Sequence, residues 1–500
     1  MVEGVDERVA ERDPQPLAAR IQADGTAVAR RPRRGDEIEV HTESFDDRGS
    51  GIGRVDGMRV RMRRALPGDV VRARVLRRRG TSIDAAVVKR ISPSADRVVP
   101  RCEHFGSCGG CTFQDLAYET QLRGLRELVA DAFRAHGLAS GIEVEPVLPA
   151  PDGWHYRNKM ELTFGSRRWL DPSEPPGAPD DFALGFHARG MHTKVVDVRA
   201  CAIQAPIADA IAGTARDLAR ERRIPPWDIR THTGLLRHLV LRVARATGEV
   251  MVNLVTSSAS PEIVDDYAAA IVARHREITT FVQNVNTRKA AIAVGEWERV
   301  LHGRGVIHER VLGRTFAISA NSFFQTNSAQ AELLFALVRE AAQLSGRELV
   351  LDLYCGAGAI AIVLADGARQ VIGLEQNPAA ILDARRNAEL NSLANVQFVE
   401  GDVLAGLASM PASSSTRPDL CVVDPPRAGL HPRLLPRLAE LSPARIVYVS
   451  CNPKAAARDV RWLTDHGYAI ERIRPVDLFP HTPHVECVIG LRRADVPREP

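Results

Sequence analysis

The chain predicts an α/β protein whose C-terminal part, residues 320–500, is a doubly wound, Rossmann-like sheet. A mixed α+β central region over 94–319 and a small OB-type β-barrel over 33–93 precede it. Three observations carry this reading. From Glu348 onward, apolar strand-like runs alternate with helical runs, the rhythm of a parallel sheet with crossover helices. From Asp36 to about residue 93, apolar and polar residues alternate between turns at 49–53, 56–57 and 67–68, which makes four or five short strands. Between these two regions, three cysteines cluster from Cys102 to Cys111 and a fourth, Cys201, stands far downstream.

The bulk numbers agree with several domains, each with a real core. The chain has 500 residues, 45% hydrophobic and 26% charged, the balance of a globular protein. It contains no apolar run long enough to cross a membrane, and its acidic N-terminus lacks the order of a signal peptide. A cytoplasmic monomer with no membrane partner is therefore expected. The net charge of +4 is unevenly spread. Met1–Ala29 carries about three more acids than bases, and Arg30–Arg97 about eight more bases than acids, all of the bases but Lys89 being arginine. Eight cysteines are too few for a disulfide scaffold at this length and point to metal binding or catalysis.

In chain order, residues 1–32 are rich in Glu, Asp, Arg and Ala without a sustained period and predict a disordered tail. The barrel follows. Its strands carry Arg59, Arg61, Arg63 and Arg64, then Arg72, Arg74 and Arg77–Arg79, a composition suited to phosphate contacts and base stacking on RNA. The cysteines come next as Cys102-x5-Cys108-x2-Cys111, with Cys201 in VRACAI. Four thiolates complete a tetrahedral or cuboidal metal site. Zinc competes for such a set, but three clustered ligands and one remote ligand suit an iron–sulfur cluster better than the paired halves of a zinc ribbon. The C-x3-C-x2-C spacing of radical enzymes is absent, so reductive cleavage of a methyl donor is not expected. Gln114–Gly137 has helical spacing, with Leu116, Leu122, Leu125, Leu128, Val129 and Phe133 on the apolar stripe and Gly137 as a stop. Further on, strands are expected at His238–Val243 and Met251–Val255, and a helix around Ile263–His275. The segment Trp154–Gly165 reads either as an RNA contact or as a plain hairpin.

The C-terminal chemistry is read from strand ends. ELVLDLYCGAGAIAIVLA is a buried strand, a Gly-rich turn and a helix start, and Gly356-Ala357-Gly358 lets the backbone approach a ligand. Glu375 ends the second strand and suits a ribose diol, and Asp402 follows the third and suits an adenine edge. With DPPR after the fourth strand, which holds Asp424 in a rigid turn, the layout favours S-adenosylmethionine over NAD. The fifth strand, Ile446–Val449, hands the chain to Cys451, and Asn452-Pro453 enforces a turn. A thiolate there would serve C5 methylation of uracil, because its addition at C6 makes C5 nucleophilic and a base then removes the C5 proton. FPHTPHVEC offers Glu486 as that base, with His481 and His484 to orient substrate or tune the carboxylate.

Taken together, C-x5-C-x2-C…C, SFFQTN, LDLYCGAGAIAI, DPPRAGL, VSCNP and FPHTPHVE resemble the RNA 5-methyluridine (uracil-C5) methyltransferase family, over about residues 33–490. The likeness is to the branch with a TRAM domain and an iron–sulfur cluster. It implies a class I S-adenosylmethionine-dependent fold and a [4Fe–4S] cluster on Cys102, Cys108, Cys111 and Cys201. It also implies cofactor contacts from Gln325, Tyr354, Gly356, Glu375, Asp402 and Asp424, with Cys451 as nucleophile and Glu486 as base. The expected substrate is structured RNA, with 23S ribosomal RNA first and transfer RNA as the alternative. A non-catalytic RNA-binding protein with a structural cluster is the rival of a different class, and the retained Cys451 and Glu486 argue against it. The helix after the cluster motif is expected to pack on the catalytic domain. One departure stands out: Ala359 occupies a position where relatives often carry Asn, so a side-chain contact to the cofactor is lost or supplied by backbone. Cys355, Cys421 and Cys487 match no family role and are expected to be buried.

Overall fold

The computed structural model describes residues 31–138, 143–290, 292–409 and 417–496, together with a short pairing of Arg20–Ile21 with Ala27–Val28. The tail expected over 1–32 thus lies almost wholly outside the described residues. The chain divides into two compact units, one formed by 1–99 with 115–120 and the other by 100–114 with 121–500.

The first unit contains a closed five-stranded barrel of Glu37–Phe45, Gly51–Val55, Met58–Arg63, Val70–Arg79 and Ser82–Ser92. Its interior is apolar, with Val40, Val60, Met62, Val71, Ala73, Val75 and Ile83 all buried at alternating positions. Glycine is obligatory at Gly53, where a Cβ would sit 2.2 Å from the His41 carbonyl oxygen. The buried Asp69 carboxylate accepts from Leu66 N and Ser94 N and pairs with Arg97, which also bonds Asp115.

The second unit holds two seven-stranded sheets. In the first, Met191–Asp197, Ala183–Ala188, Lys159–Gly165, Leu236–Val243, Val250–Thr256, Ile278–Val285 and Trp297–His302 lie side by side in that order. Helix Pro261–Arg274 makes the crossover between its one parallel pair, and helix Pro206–Glu221 packs beside it around Leu239, Val252, Tyr267 and Phe281. The expected strands and helix of this region are present with slightly different ends. Trp154–Gly165 is not a hairpin: Lys159–Gly165 is an inner strand paired on both sides, so its partners come from elsewhere in the chain.

The second sheet is built from β1 (Leu349–Leu353), β2 (Gln370–Glu375), β3 (Val396–Glu400), β4 (Leu420–Val423), β5 (Arg445–Ser450), β6 (Tyr468–Val476) and β7 (Glu486–Arg493). Its order is 3-2-1-4-5-7-6, with β1 to β5 parallel and β7 antiparallel to both its neighbours. Every residue of β1 and β4 is buried, as expected of central parallel strands covered on both faces. The order reverses direction at β1 and β4, so their carboxyl ends frame the crevice where such sheets bind ligands. Cys421 and Cys487 lie in the core of this sheet and Cys355 just beyond β1, all three buried.

Candidate active site

The turn after β1 is shaped for close approach. Tyr354 adopts φ +63, an uncommon conformation for a bulky residue, and Gly356 and Gly358 have φ +54 and +80. A Cβ on Gly358 would meet Phe398 Cζ at 2.5 Å, so glycine is required there by space as well as by backbone. Glu375, at the end of β2, accepts from Gly356 N at 3.3 Å and from Asn377 N at 2.8 Å, which ties its carboxylate to the turn. Asp402 accepts from Ala405 N at the start of the next helix. Burial, reinforced by Asp402, Asp459 and Glu375, raises the Tyr354 phenol. Helix Ala359–Leu364 begins at Ala359 itself, and Asn387 Nδ2 donates to the Ala357 carbonyl oxygen. This glycine turn and its flanking acids fit S-adenosylmethionine, with its ribose, adenine and charged methionine ends.

Gln325 lies in a loop held by a separate set of bonds. Asn158 Nδ2 donates to the Gln325 carbonyl oxygen and to Ser328 Oγ, each at 2.8 Å, and Asn158 N donates to Thr326 O at 2.8 Å. The SFFQTN loop is thus pinned to the start of strand Lys159–Gly165. Asn327 then caps helix Ser328–Ala342 and bonds the Leu478 carbonyl oxygen.

Cys451 emerges half-buried at the end of β5. Ser450 pairs with Cys487 in the β5–β7 ladder, so one step further Cys451 faces Glu486. Asn452 caps helix Pro453–Asp465 through Lys454 N and donates Nδ2 to the Arg427 carbonyl oxygen at 2.8 Å. The turn expected at Asn452-Pro453 is therefore also tied to DPPR. Asp459, fully buried in that helix, accepts from Leu430 N and Tyr448 OH, both at 2.7 Å. Arg458 donates to the Ala428 carbonyl oxygen at 3.0 Å, so two residues of one helix fix the DPPRAGL turn.

The electrostatics of this edge are unusual. Burial raises the Glu486 carboxyl to about 8, with Asp424 adding to the rise and Arg427 opposing it. Burial raises Asp424 to about 6, and raises Asp352, with help from Asp424, to about 8. Burial and the Glu486 charge push the Cys451 thiol up to about 11, again opposed by Arg427. The Arg427 guanidinium is coupled to both Cys451 and Glu486. Local sequence pattern assigns no role to Arg427, within DPPR, or to Asp352, within LDLYCG. Perturbed acids gathered around a thiol at a sheet crevice are the mark of a reactive centre.

The two histidines part ways. His484 Nδ1 lies 3.2 Å from Arg427 Nη2, and because a guanidinium only donates, that nitrogen accepts. His481 is buried and structural. Its ring packs against Trp154, tilted, with centroids 4.1 Å apart, and bonds Gly153 O, and its carbonyl oxygen accepts from Thr112 N and Phe113 N. It therefore braces the loop before Glu486 against the segment after Cys111. Gln121, near the start of helix Tyr118–Ala135, bonds His481 from the other side.

Cys102, Cys108, Cys111 and Cys201 line one cavity of about 340 Å³, together with Phe105, Arg157 and Met160. Among the described residues no group of three or more His, Cys, Asp or Glu is close enough to hold a single metal ion. Burial raises the Cys111 thiol to about 11 and Cys201 to about 12, and the neighbouring thiols add to both.

Residues 414–494 match the family described as tRNA (uracil-5-)-methyltransferase, and residues 345–423 match a methyltransferase domain. An RNA methyltransferase of Chlorobaculum tepidum is 39% identical over 93% of this chain and 98% of its own length. One from Porphyromonas gingivalis is 40% identical over 89% and 97%. The chain belongs to the RNA uracil-C5 methyltransferase family. In the same direction, a Pyrococcus abyssi tRNA (uracil-54, C5)-methyltransferase, solved with S-adenosyl-L-homocysteine, superposes with TM-score 0.69 at 32% identity. That match covers 91% of this chain and all of the other. This methyltransferase is S-adenosylmethionine-dependent.

Proposed function

We propose that the protein methylates C5 of a uridine in structured RNA through a covalent adduct at Cys451. The observation that carries this is Cys451, one residue past β5, coupled to Glu486, the first residue of the antiparallel neighbour β7, with Arg427 coupled to both. Cys451 Sγ adds to C6 of the ring, and the displaced electron pair moves through C5 towards O4. Bound S-adenosylmethionine supplies the methyl group that C5 takes. Glu486 in its carboxylate form removes the C5 proton, the C5–C6 double bond re-forms, and Cys451 leaves as thiolate. A thiol held near 11 is protonated at rest, so the adjacent Arg427 charge supports the thiolate as it forms.

Ribosomal RNA of the large subunit is the substrate of the primary reading. Transfer RNA is the second, favoured by the substrate named for the Pyrococcus abyssi structure. The four cysteines that line one cavity fit a [4Fe–4S] cluster, whose thiolate ligands would lose their mutual repulsion to bound iron. Its role here is structural, bracing the segments that lead to His481 and Asn158. Anaerobically purified protein is expected to be brown, with about four irons per chain; one zinc in colourless protein sinks this assignment.

The deciding experiment incubates the protein and S-adenosylmethionine with 23S ribosomal RNA fragments or transfer RNA containing 5-fluorouridine, whose C5 has no removable proton. A covalent protein–RNA complex should form and should be absent with Cys451→Ala. No complex from wild type with any of these RNAs would falsify the covalent reading.

A further inference from the structure

The barrel exterior carries a charged site that strict alternation does not foresee. In Val70–Arg79, Val71, Ala73 and Val75 point into the core, which would send Arg77 and Arg79 inward as well. A register shift between Val75 and Arg77 resets the phase, with Leu76 left half exposed. Arg77 then lies opposite Asp84, and Arg79 opposite Ser82. On the other side of strand Ser82–Ser92, parallel pairing sets Arg59 opposite Ser82 and Arg61 opposite Asp84. Two rows result across three strands, Arg61–Asp84–Arg77 and Arg59–Ser82–Arg79, and together they line a cavity of about 200 Å³.

The rows differ in charge. Asp84 bonds Arg61 at 2.9 Å and Arg77 at 2.9 Å, so one acid fixes two guanidinium groups in place. Among the described residues neither Arg59 nor Arg79 has an acidic partner. Between them stands a serine hydroxyl instead of a carboxylate. Two guanidinium groups flanking a hydroxyl, in a hollow already held open by ion pairs, match a singly charged tetrahedral oxyanion.

We propose that Arg59, Ser82 and Arg79 bind a phosphodiester group of the substrate RNA. This rests on the RNA reading above and adds a defined contact on the barrel. Contacts of this kind position a nucleic acid and carry no sequence information, so the site contributes affinity without choosing the target uridine.

The test uses the full-length protein and a fluorescein-labelled RNA hairpin with uridines in its loop, titrated by anisotropy across a series of KCl concentrations. Arg59→Gln/Arg79→Gln is expected to weaken binding about tenfold at low salt and to lower the slope of log K against log salt by about one. Ser82→Ala should weaken binding by a smaller factor with no change of slope. Arg276→Gln, exposed and outside the barrel, should leave binding close to wild type. Inorganic phosphate should compete with RNA for the wild type but not for the double variant. A double variant with a wild-type melting temperature and an unchanged salt slope overturns the proposal. If uridine monophosphate protects the site while RNA binding is unchanged, the anion is a free nucleotide and the phosphodiester assignment is wrong. Wild type that forms the 5-fluorouridine adduct while the double variant keeps its slope refutes this site alone, whereas absence of adduct refutes the catalytic reading.

Discussion

Replacing Glu486 with Gln separates two jobs of one carboxyl. The Glu486 charge raises the Cys451 thiol, second only to burial. Removing that charge should lower the thiol towards its ordinary value, and each unit is a tenfold gain in thiolate below the midpoint. At pH 9, above the Glu486 midpoint of about 8, Cys451 in Glu486→Gln should react with iodoacetamide roughly three- to tenfold faster than in wild type. Turnover should move the other way. Loss of a positioned base costs about a hundredfold to ten-thousandfold, because the C5 proton then has no acceptor. Faster addition and slower elimination together predict that Glu486→Gln accumulates a protein–RNA adduct on ordinary uridine. The assay is site-resolved alkylation by mass spectrometry beside single-turnover methylation and denaturing gels. In wild type, kcat/KM should rise with pH through about 8 as Glu486 deprotonates, and that rise should vanish in the variant. Turnover by Glu486→Gln within about fivefold of wild type refutes the assignment of the base.

Other perturbations follow from the same geometry. Gly358→Ala meets both a positive φ and the Phe398 ring, so it should cost about 2 kcal/mol or more of stability and sharply weaken S-adenosylhomocysteine binding by calorimetry. Asp459→Ala strands Leu430 N and the Tyr448 hydroxyl in the interior and should cost about 3 kcal/mol in urea unfolding, against about 1 kcal/mol for Tyr448→Phe. Asn158→Ala frees the Gln325–Ser328 turn and should raise KM for S-adenosylmethionine with a smaller effect on kcat. Asp352 keeps its proton in the fold up to about pH 8, whereas the unfolded chain releases it near its ordinary value. It therefore lowers stability as pH rises between those two points, and Asp352→Asn should flatten that fall in unfolding free energy.

Much of the site was legible because it sits on local patterns. The Gly-rich turn after an apolar strand, an acid at the end of the next strand and a Cys-Asn-Pro after the fifth each follow from chain chemistry within about ten residues. Alternation with period two announced the barrel, and buried apolar runs announced the parallel strands, because burial on one face or on both writes those periods directly. Cys451, Glu486, Glu375 and Asp402 could therefore be named before any fold was known.

What the sequence by itself determined was thus the kind of element and the residues at its ends. Tertiary structure alone decided which of them meet. Only the antiparallel register of β5 and β7 puts Cys451 opposite Glu486, and only packing assigns His481 to Trp154 and Gly153 while His484 goes to Arg427. Cys201 joins Cys102, Cys108 and Cys111 across about ninety intervening residues that no local period describes. A single bulge at Leu76 turned two arginines from the inward phase to the outward one. The physical reason is common to all four cases. Period and turn chemistry are set by neighbours along the chain, whereas charge coupling, burial and register depend on residues brought together only when the core closes.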